Sequence, residues 1–130
     1  MVGILLVTHN GLGDSFVDCV RHVLGEVPRN LKVLTVQAGD DPQLKLVEGQ
    51  ALIKQLDTGG GVLILADIFG ATPSNIARQL CHAENVMGVA GVNLPMLLRV
   101  TCSPNKTMPE LAEIAVEGGR ECIVHINQDN

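Results

Sequence analysis

Aromatic residues are nearly absent: the chain carries Phe16 and Phe69, and neither tryptophan nor tyrosine. Its core must therefore be aliphatic, as in a parallel sheet rich in Val, Ile and Leu and buried on both faces. A flavin or nucleobase would also find few rings to stack on. Paired cysteines are missing too. Cys19, Cys81, Cys102 and Cys122 are scattered, with no C-x-x-C spacing, which leaves no disulfide framework and no zinc site and reads as reduced thiols. No apolar stretch approaches the roughly 20 residues of a membrane span. No basic region precedes the short apolar run at the N-terminus, so no signal peptide is expected. Basic excess is lacking as well: a net charge of −5 argues against nucleic acid as a partner. These absences together predict a cytoplasmic protein with no direct membrane insertion.

What is there is an aliphatic α/β pattern. With 130 residues and 46% hydrophobic content, the chain suits one domain spanning 1–130. Val2 to Val7, Leu31 to Val36, Val62 to Ala66 and Val86 to Val92 read as strands. Between them lie helical patterns. Ser15 to Leu24 places Phe16, Val17, Val20, Val23 and Leu24 on one face, with Gly13 or Asp14 able to cap it and Gly25 able to end it. Asp41-Pro42 opens a helix running to about Leu56, with Leu44, Val47, Ala51 and Leu52 inward. Thr72 as cap and Pro73 as first residue predict a helix to about His82. A short helix follows Asn93-Leu94-Pro95, another spans Pro109 to about Glu117, and Cys122 to Ile126 reads as a final short strand. This alternation predicts a mainly parallel sheet with right-handed crossovers.

Two strand ends carry polar residues of chemical interest. The first strand runs into Thr8-His9-Asn10-Gly11-Leu12-Gly13, and the third into Asp67-Ile68-Phe69-Gly70-Ala71-Thr72. In open α/β sheets, ligands and chemistry collect beyond the carboxyl ends of the strands. If the two strands are parallel neighbours, His9 and Asp67 meet there. A carboxylate on one imidazole nitrogen fixes the tautomer and leaves the other as a nucleophile. Gly11 and Gly13 let backbone amides approach an anion, and the helix N-terminus behind them favours phosphate. Either residue also has a plainer use, as a loop histidine bonding a carbonyl or a carboxylate capping a turn. Gly11-x-Gly13 is a poor dinucleotide fingerprint, because Phe16 stands where the third glycine belongs. His22, His82 and His125 read as structural, and the Cys81-His82 pair has no further metal ligands at suitable spacing.

Read together, four segments resemble the IIA component of the mannose-type phosphoenolpyruvate-dependent sugar phosphotransferase system. They are Ile4 to Gly11, Gly61 to Asn75, Gly88 to Leu97 and Ala115 to Glu121. The blocks DIFGATPSN and AGVNLPM carry most of the specificity. The resemblance implies a phosphorylated histidine at His9 and a hydrogen-bonding aspartate at Asp67. It implies a pocket loop at Phe69, Gly70, Ala71 and Thr72, with Asn93, Leu94, Pro95 and Met96 on the opposing rim. It further implies a flavodoxin-like three-layer sandwich and a homodimer with the C-terminal strand, Cys122 to Ile126, exchanged between subunits. Two positions depart from the family pattern: Ala71 stands where glycine is usual, and Phe69 replaces a frequent tryptophan.

The resemblance implies that phosphorylated HPr docks over His9, that its phosphoryl group passes to His9, and that a IIB partner receives it next. Backbone amides at Gly11 to Gly13 and Gly70 to Thr72 are expected to face the phosphoryl oxygens, with no metal and no cofactor. No linker or fused IIB segment follows within the 130 residues, so the acceptor is expected to be a separate protein or a regulatory target. Three other readings stand beside this one. They are a regulatory protein signalling by its phosphorylation state, the phosphoryl donor subunit of a dihydroxyacetone kinase, and a small-molecule module of flavodoxin-like fold.

Overall fold

The computed structural model describes residues 1–127. Its elements are β1 (Gly3–His9), α1 (Leu12–Leu24), β2 (Leu31–Val36), α2 (Pro42–Leu56), β3 (Val62–Ala66), α3 (Thr72–Leu80), β4 (Val86–Ala90), α4 (Leu94–Thr101) and α5 (Met108–Glu121). The four strands form one all-parallel sheet in the order β2-β1-β3-β4. Strand β1 lies between β2 and β3, with Leu6 opposite Val33 on one side and Leu65 on the other. Both central strands are apolar almost throughout because both their faces are covered. Ile4, Leu6, Leu63 and Leu65 face α1, α4 and α5, meeting Val20, Leu97 and Leu111. Leu5, Val7, Val62 and Ile64 face α2 and α3, meeting Ile53, Ile76 and Leu80. Each fully buried aliphatic side chain contributes on the order of 1.5–3 kcal/mol. The strands that end in His9 and Asp67 are thus anchored on both faces.

The topology then places the crevice. The chain runs from β1 outward to β2, returns across β1 to β3, and continues to β4. The direction of winding reverses between β1 and β3, which is where open parallel sheets leave a cleft beyond their strand ends. His9 is the last residue of β1, and Asp67 is the residue after β3.

The strand expectations for β2 and β3 hold to the residue, whereas several helix expectations need correction. Helix α1 starts at Leu12 rather than Ser15, its N-cap residue is Gly11, and no side chain caps it. Neither Gly13 nor Asp14 is the cap. Gly13 instead sits in the first turn, where a β-carbon would lie 2.6 Å from Thr8 Oγ1 and 2.6 Å from Val33 Cγ1. Gly25 does end this helix, at φ 87°, but Val23 and Leu24 are exposed rather than inward.

Helix α2 is rotated relative to its expected inward face. Leu44, Val47 and Ala51 are exposed, Leu52 does pack inward as expected, and the helix packs through it together with Leu46, Gly49, Ile53 and Leu56. Gly49 sets this phase: a β-carbon there would fall 2.8 Å from Leu80 Cδ1 and 3.1 Å from Leu34 Cδ2. Helix α3 takes Ala71 as its N-cap residue, so Thr72 is the first helical residue instead of the cap. It ends at Leu80, leaving His82 beyond it. Strand β4 stops at Ala90 rather than Val92.

Helix α5 begins with a capping box between Thr107 and Glu110 and runs to Glu121, past the expected end near Glu117. Residues 122–127 form no strand, so the expected strand Cys122 to Ile126 does not exist within this chain. The longer helix takes up its approach, and Ile123, Val124 and Ile126 remain exposed without a ladder to join.

Candidate active site

His9 closes β1 opposite Val36. The chain then turns sharply through Asn10, held at φ 49°, a left-handed conformation that asparagine tolerates better than most side chains. The Asn10 amide donates to Val36 O at 3.0 Å. This turn lets α1 begin within three residues of the imidazole. Beneath it, Thr8 is fully buried, and its hydroxyl has no hydrogen-bond partner among the described residues.

His9 and Asp67 meet. The side chain of His9 is 43% exposed and that of Asp67 only 6%. Asp67 Oδ2 accepts the backbone N–H of His9 at 2.9 Å and lies 2.7 Å from His9 Nδ1. Asp67 Oδ1 accepts the Ile68 N–H at 2.9 Å. Burial pushes the Asp67 carboxyl up. The His9 amide, the His9 ring and the Ile68 amide outweigh that effect, so the carboxyl stays below its ordinary range. An ionised carboxylate only accepts hydrogen bonds. Nδ1 therefore carries a proton, and Nε2, which has no partner among the described residues, is the nitrogen that bears the lone pair in the neutral ring.

The loop after Asp67 is held by α3. Gly70 adopts φ 89°, which glycine alone takes without strain. The Gly70 N–H donates to Ser74 Oγ at 2.7 Å, and the Ser74 hydroxyl donates to Ala71 O at 3.1 Å. The expectation that the Gly70 amide faces an anion is thereby corrected: that N–H is already taken. Amides in the first turns of α1 and α3 remain. Ser15 N–H is the first in α1 to reach back, to Gly11 O, and Asn75 N–H the first in α3, to Ala71 O. The amides ahead of them have no carbonyl to reach. Two helix N-termini thus follow the two strand ends, an arrangement suited to an anion. Phe69 is 74% exposed, with the Arg78 guanidinium 5.3 Å from its ring centre.

The opposing rim is more structural than expected. Asn93 caps α4 by accepting the Met96 N–H at 3.0 Å and donates to Gly119 O at 3.0 Å. Met96 is buried in the core rather than lining a rim, and Pro95 occupies the first turn of α4. Gly91 and Val92 N–H both bond Ala66 O, which brings this loop alongside the end of β3. Sequence reasoning missed Arg78, and it took Ser74 only as part of the Gly61 to Asn75 stretch, without its bonds to Gly70 and Ala71. The spacing of four residues between Ser74 and Arg78 on one helix, beside the loop, was the available signal.

The fold and site define a parallel α/β domain that presents an aspartate-oriented histidine at its topological switch point. The chain belongs to the EIIA-man family: residues 3–116 match its model, described as the PTS system fructose IIA component. It is 31% identical over 123 residues to the PTS system mannose-specific EIIAB component of Escherichia coli (strain K12). That match covers 92% of this chain and 38% of the relative, so this chain spans well under half of that protein. It is 30% identical over 105 residues to the sorbose-specific EIIA component of Lacticaseibacillus casei, covering 78% and 73%. In fold it is similar to the mannose/sorbose-specific IIA subunit from Enterococcus faecalis. The TM-score is 0.87 at 22% identity, over 99% of this chain and 97% of that one. No helix among the described residues is long and apolar enough to cross a membrane.

Proposed function

We propose that this chain is a cytoplasmic phosphocarrier that accepts a phosphoryl group from phosphorylated HPr on Nε2 of His9 and passes it to a IIB protein. The observation that carries this reading is the 2.7 Å contact between Asp67 Oδ2 and His9 Nδ1, which leaves Nε2 free at the end of a central strand. In the forward step, the Nε2 lone pair attacks phosphorus in line. The P–N bond to the donor's imidazole breaks as the new P–N bond forms, and Asp67 keeps the proton on Nδ1. Developing charge on the phosphoryl oxygens is met by first-turn amides of α1 and α3. Such transfer depends on positioning and electrostatic stabilisation. The reverse sequence delivers the group to the acceptor.

The acceptor reading is supported by a relative named as an EIIAB component. A regulatory protein read out by its phosphorylation state uses the same His9 chemistry with a different listener. A dihydroxyacetone kinase would be a further acceptor.

A homodimer joined through residues 122–126 is part of the proposal. Its support is the exposure of Ile123, Val124 and Ile126 next to a sheet whose β4 edge is unpaired in the described chain. Truncation before Ile123 is expected to yield a monomer by sedimentation. A dimer that survives truncation rejects the exchange.

The test of function is incubation with phosphoenolpyruvate, enzyme I and HPr, read by intact mass beside His9→Ala. One acid-labile phosphoryl group on the wild type and none on the variant is expected. A labelled variant overturns the site, and an unlabelled wild type overturns the phosphocarrier reading. Adding candidate IIB proteins or a dihydroxyacetone kinase then identifies the acceptor by discharge of the label.

A further inference from the structure

We propose that Ser74 and Arg78 are positioning residues that hold the 67–71 loop at His9, and so set the rate of phosphoryl transfer and the fit of the partner; this rests on the phosphocarrier reading above. The two residues lie one turn apart on α3 and project to the same side. Ser74 is 7% exposed. Its hydroxyl fastens the loop backbone twice, through the Gly70 N–H at 2.7 Å and the Ala71 carbonyl at 3.1 Å. Arg78 fastens the loop's aromatic side chain, standing 5.3 Å from the centre of the Phe69 ring. No carboxylate of the described residues pairs with Arg78, so its guanidinium is free for the ring face.

The loop has little else to hold it. Phe69 is 74% exposed and contributes no core packing. Below it lies a hollow of about 250 Å³, lined among others by Ala66, Phe69, Ser74, Ala77, Arg78 and Cys81. The loop therefore borders a hollow rather than packing directly on the sheet, and Ser74 and Arg78 tether it from α3.

The consequence for chemistry is specific. The Ser74 clamp takes Gly70 N–H away from any anion and fixes Ala71 as the entry to α3, which aligns the Thr72 and Ser74 amides. It also fixes the span that begins at Asp67. The Arg78 clamp acts further out, on the exposed ring a partner protein would meet first.

The two tethers are separable by kinetics. Ser74→Ala is expected to lower kcat for transfer from phosphorylated HPr by roughly ten- to a hundredfold, the size of effect that misplaced groups produce. KM for the donor should stay within about twofold. Ser74→Thr keeps the hydroxyl and is expected to recover most of the rate. Arg78→Met keeps the apolar stem and removes the cation from an exposed position. It is expected to raise KM about two- to fivefold, in line with an exposed cation–π contact, and to leave kcat alone.

Amide exchange gives a second readout. Gly70 N–H should lose protection in Ser74→Ala and keep it in Ser74→Thr and Arg78→Met. Normal transfer kinetics in both Ser74→Ala and Arg78→Met, with a labelled wild type, overturns the positioning roles while leaving the phosphocarrier reading in place. A Ser74→Thr variant as slow as Ser74→Ala also overturns the hydroxyl clamp. A wild-type chain that takes no phosphoryl group overturns the phosphocarrier reading itself, and the positioning roles fall with it.

Discussion

Two aspartates stand at opposite ends of β3, and their local chemistry looks alike. Asp57, before the strand, accepts the Gly59 and Gly61 amides at 2.9 and 3.0 Å and the Asn85 side chain at 2.5 Å. Asp67, after the strand, accepts the His9 amide at 2.9 Å, the His9 ring at 2.7 Å and the Ile68 amide at 2.9 Å. Both carboxyls lie below their ordinary range: Asp57 through Asn85 first and then the two glycine amides, and Asp67 through bonds that overcome its burial. The difference lies in the partners. Every donor to Asp57 is neutral and fixed, so the residue ties the glycine turn to the start of β4. One donor to Asp67 is an imidazole, whose bonding would change in the proposed phosphoryl transfer. A depressed carboxyl and three hydrogen bonds therefore do not mark a functional site; a partner that changes state does.

The sharpest way to break this comparison is at the partner. His9→Ala is expected to abolish phosphoryl acceptance completely while leaving thermal unfolding close to wild type, because the side chain is 43% exposed. Next in size is Asp67→Asn. The amide can hold the ring but no longer imposes one tautomer, so transfer should slow by about a hundredfold, within the range for a displaced acid–base partner. Wild-type rates in that variant would reduce Asp67 to a structural cap like Asp57. A third change probes the helix start beside His9. In Gly13→Ala the new methyl meets Thr8 Oγ1 and Val33 Cγ1 at 2.6 Å. Overpacking of this kind costs about 1–3 kcal/mol, and lifting the first turn of α1 should slow transfer as well. Unchanged stability in a urea titration would show that the contact relaxes without cost.

How much of this was legible in the sequence follows from what each element rests on. Strands β2 and β3 could be read to the residue because continuous Val, Leu and Ile runs bounded by turn residues have few alternatives. His9 and Asp67 were legible for the same reason, since each is the polar residue that ends such a run. Helix α2 was misread because apolar residues occur on more than one of its faces. What sets its phase is Gly49, through contacts with Leu34 and Leu80 that are distant in sequence. The caps of α1 and α3 were misplaced because Gly11 and Ala71 hold cap positions without a side-chain bond. Residues 122–126 carry a strand-like composition, but a strand needs an edge, and composition does not say whose. The Ser74 clamp on the loop went unread because a serine in the first turn of a helix is common. Only the observed bonds to Gly70 and Ala71 distinguish this one.

The smallest expected effect tests the acid side of the comparison. A carboxyl depressed in the folded state contributes stability that is present above its unfolded pKa, about 4. That contribution is lost as pH falls through the folded value. Asp57 and Asp67 both shift in this direction, so neither makes stability change between about pH 5 and 7, and both make it fall below about pH 4. Asp57→Asn removes one of the two contributions. Its urea midpoint should lie slightly below wild type at pH 6, and the two curves should converge as the pH drops toward about 3. Its phosphoryl-transfer rate should match wild type throughout the pH range where both are folded. Parallel midpoint curves would mean that Asp57 binds its proton equally well folded and unfolded, and that its bonds do not favour the ionised form. A slowed transfer rate would mean that the turn at the amino end of β3 reaches the histidine at the other end, and the separation of the two aspartates into a structural and a chemical one would fail.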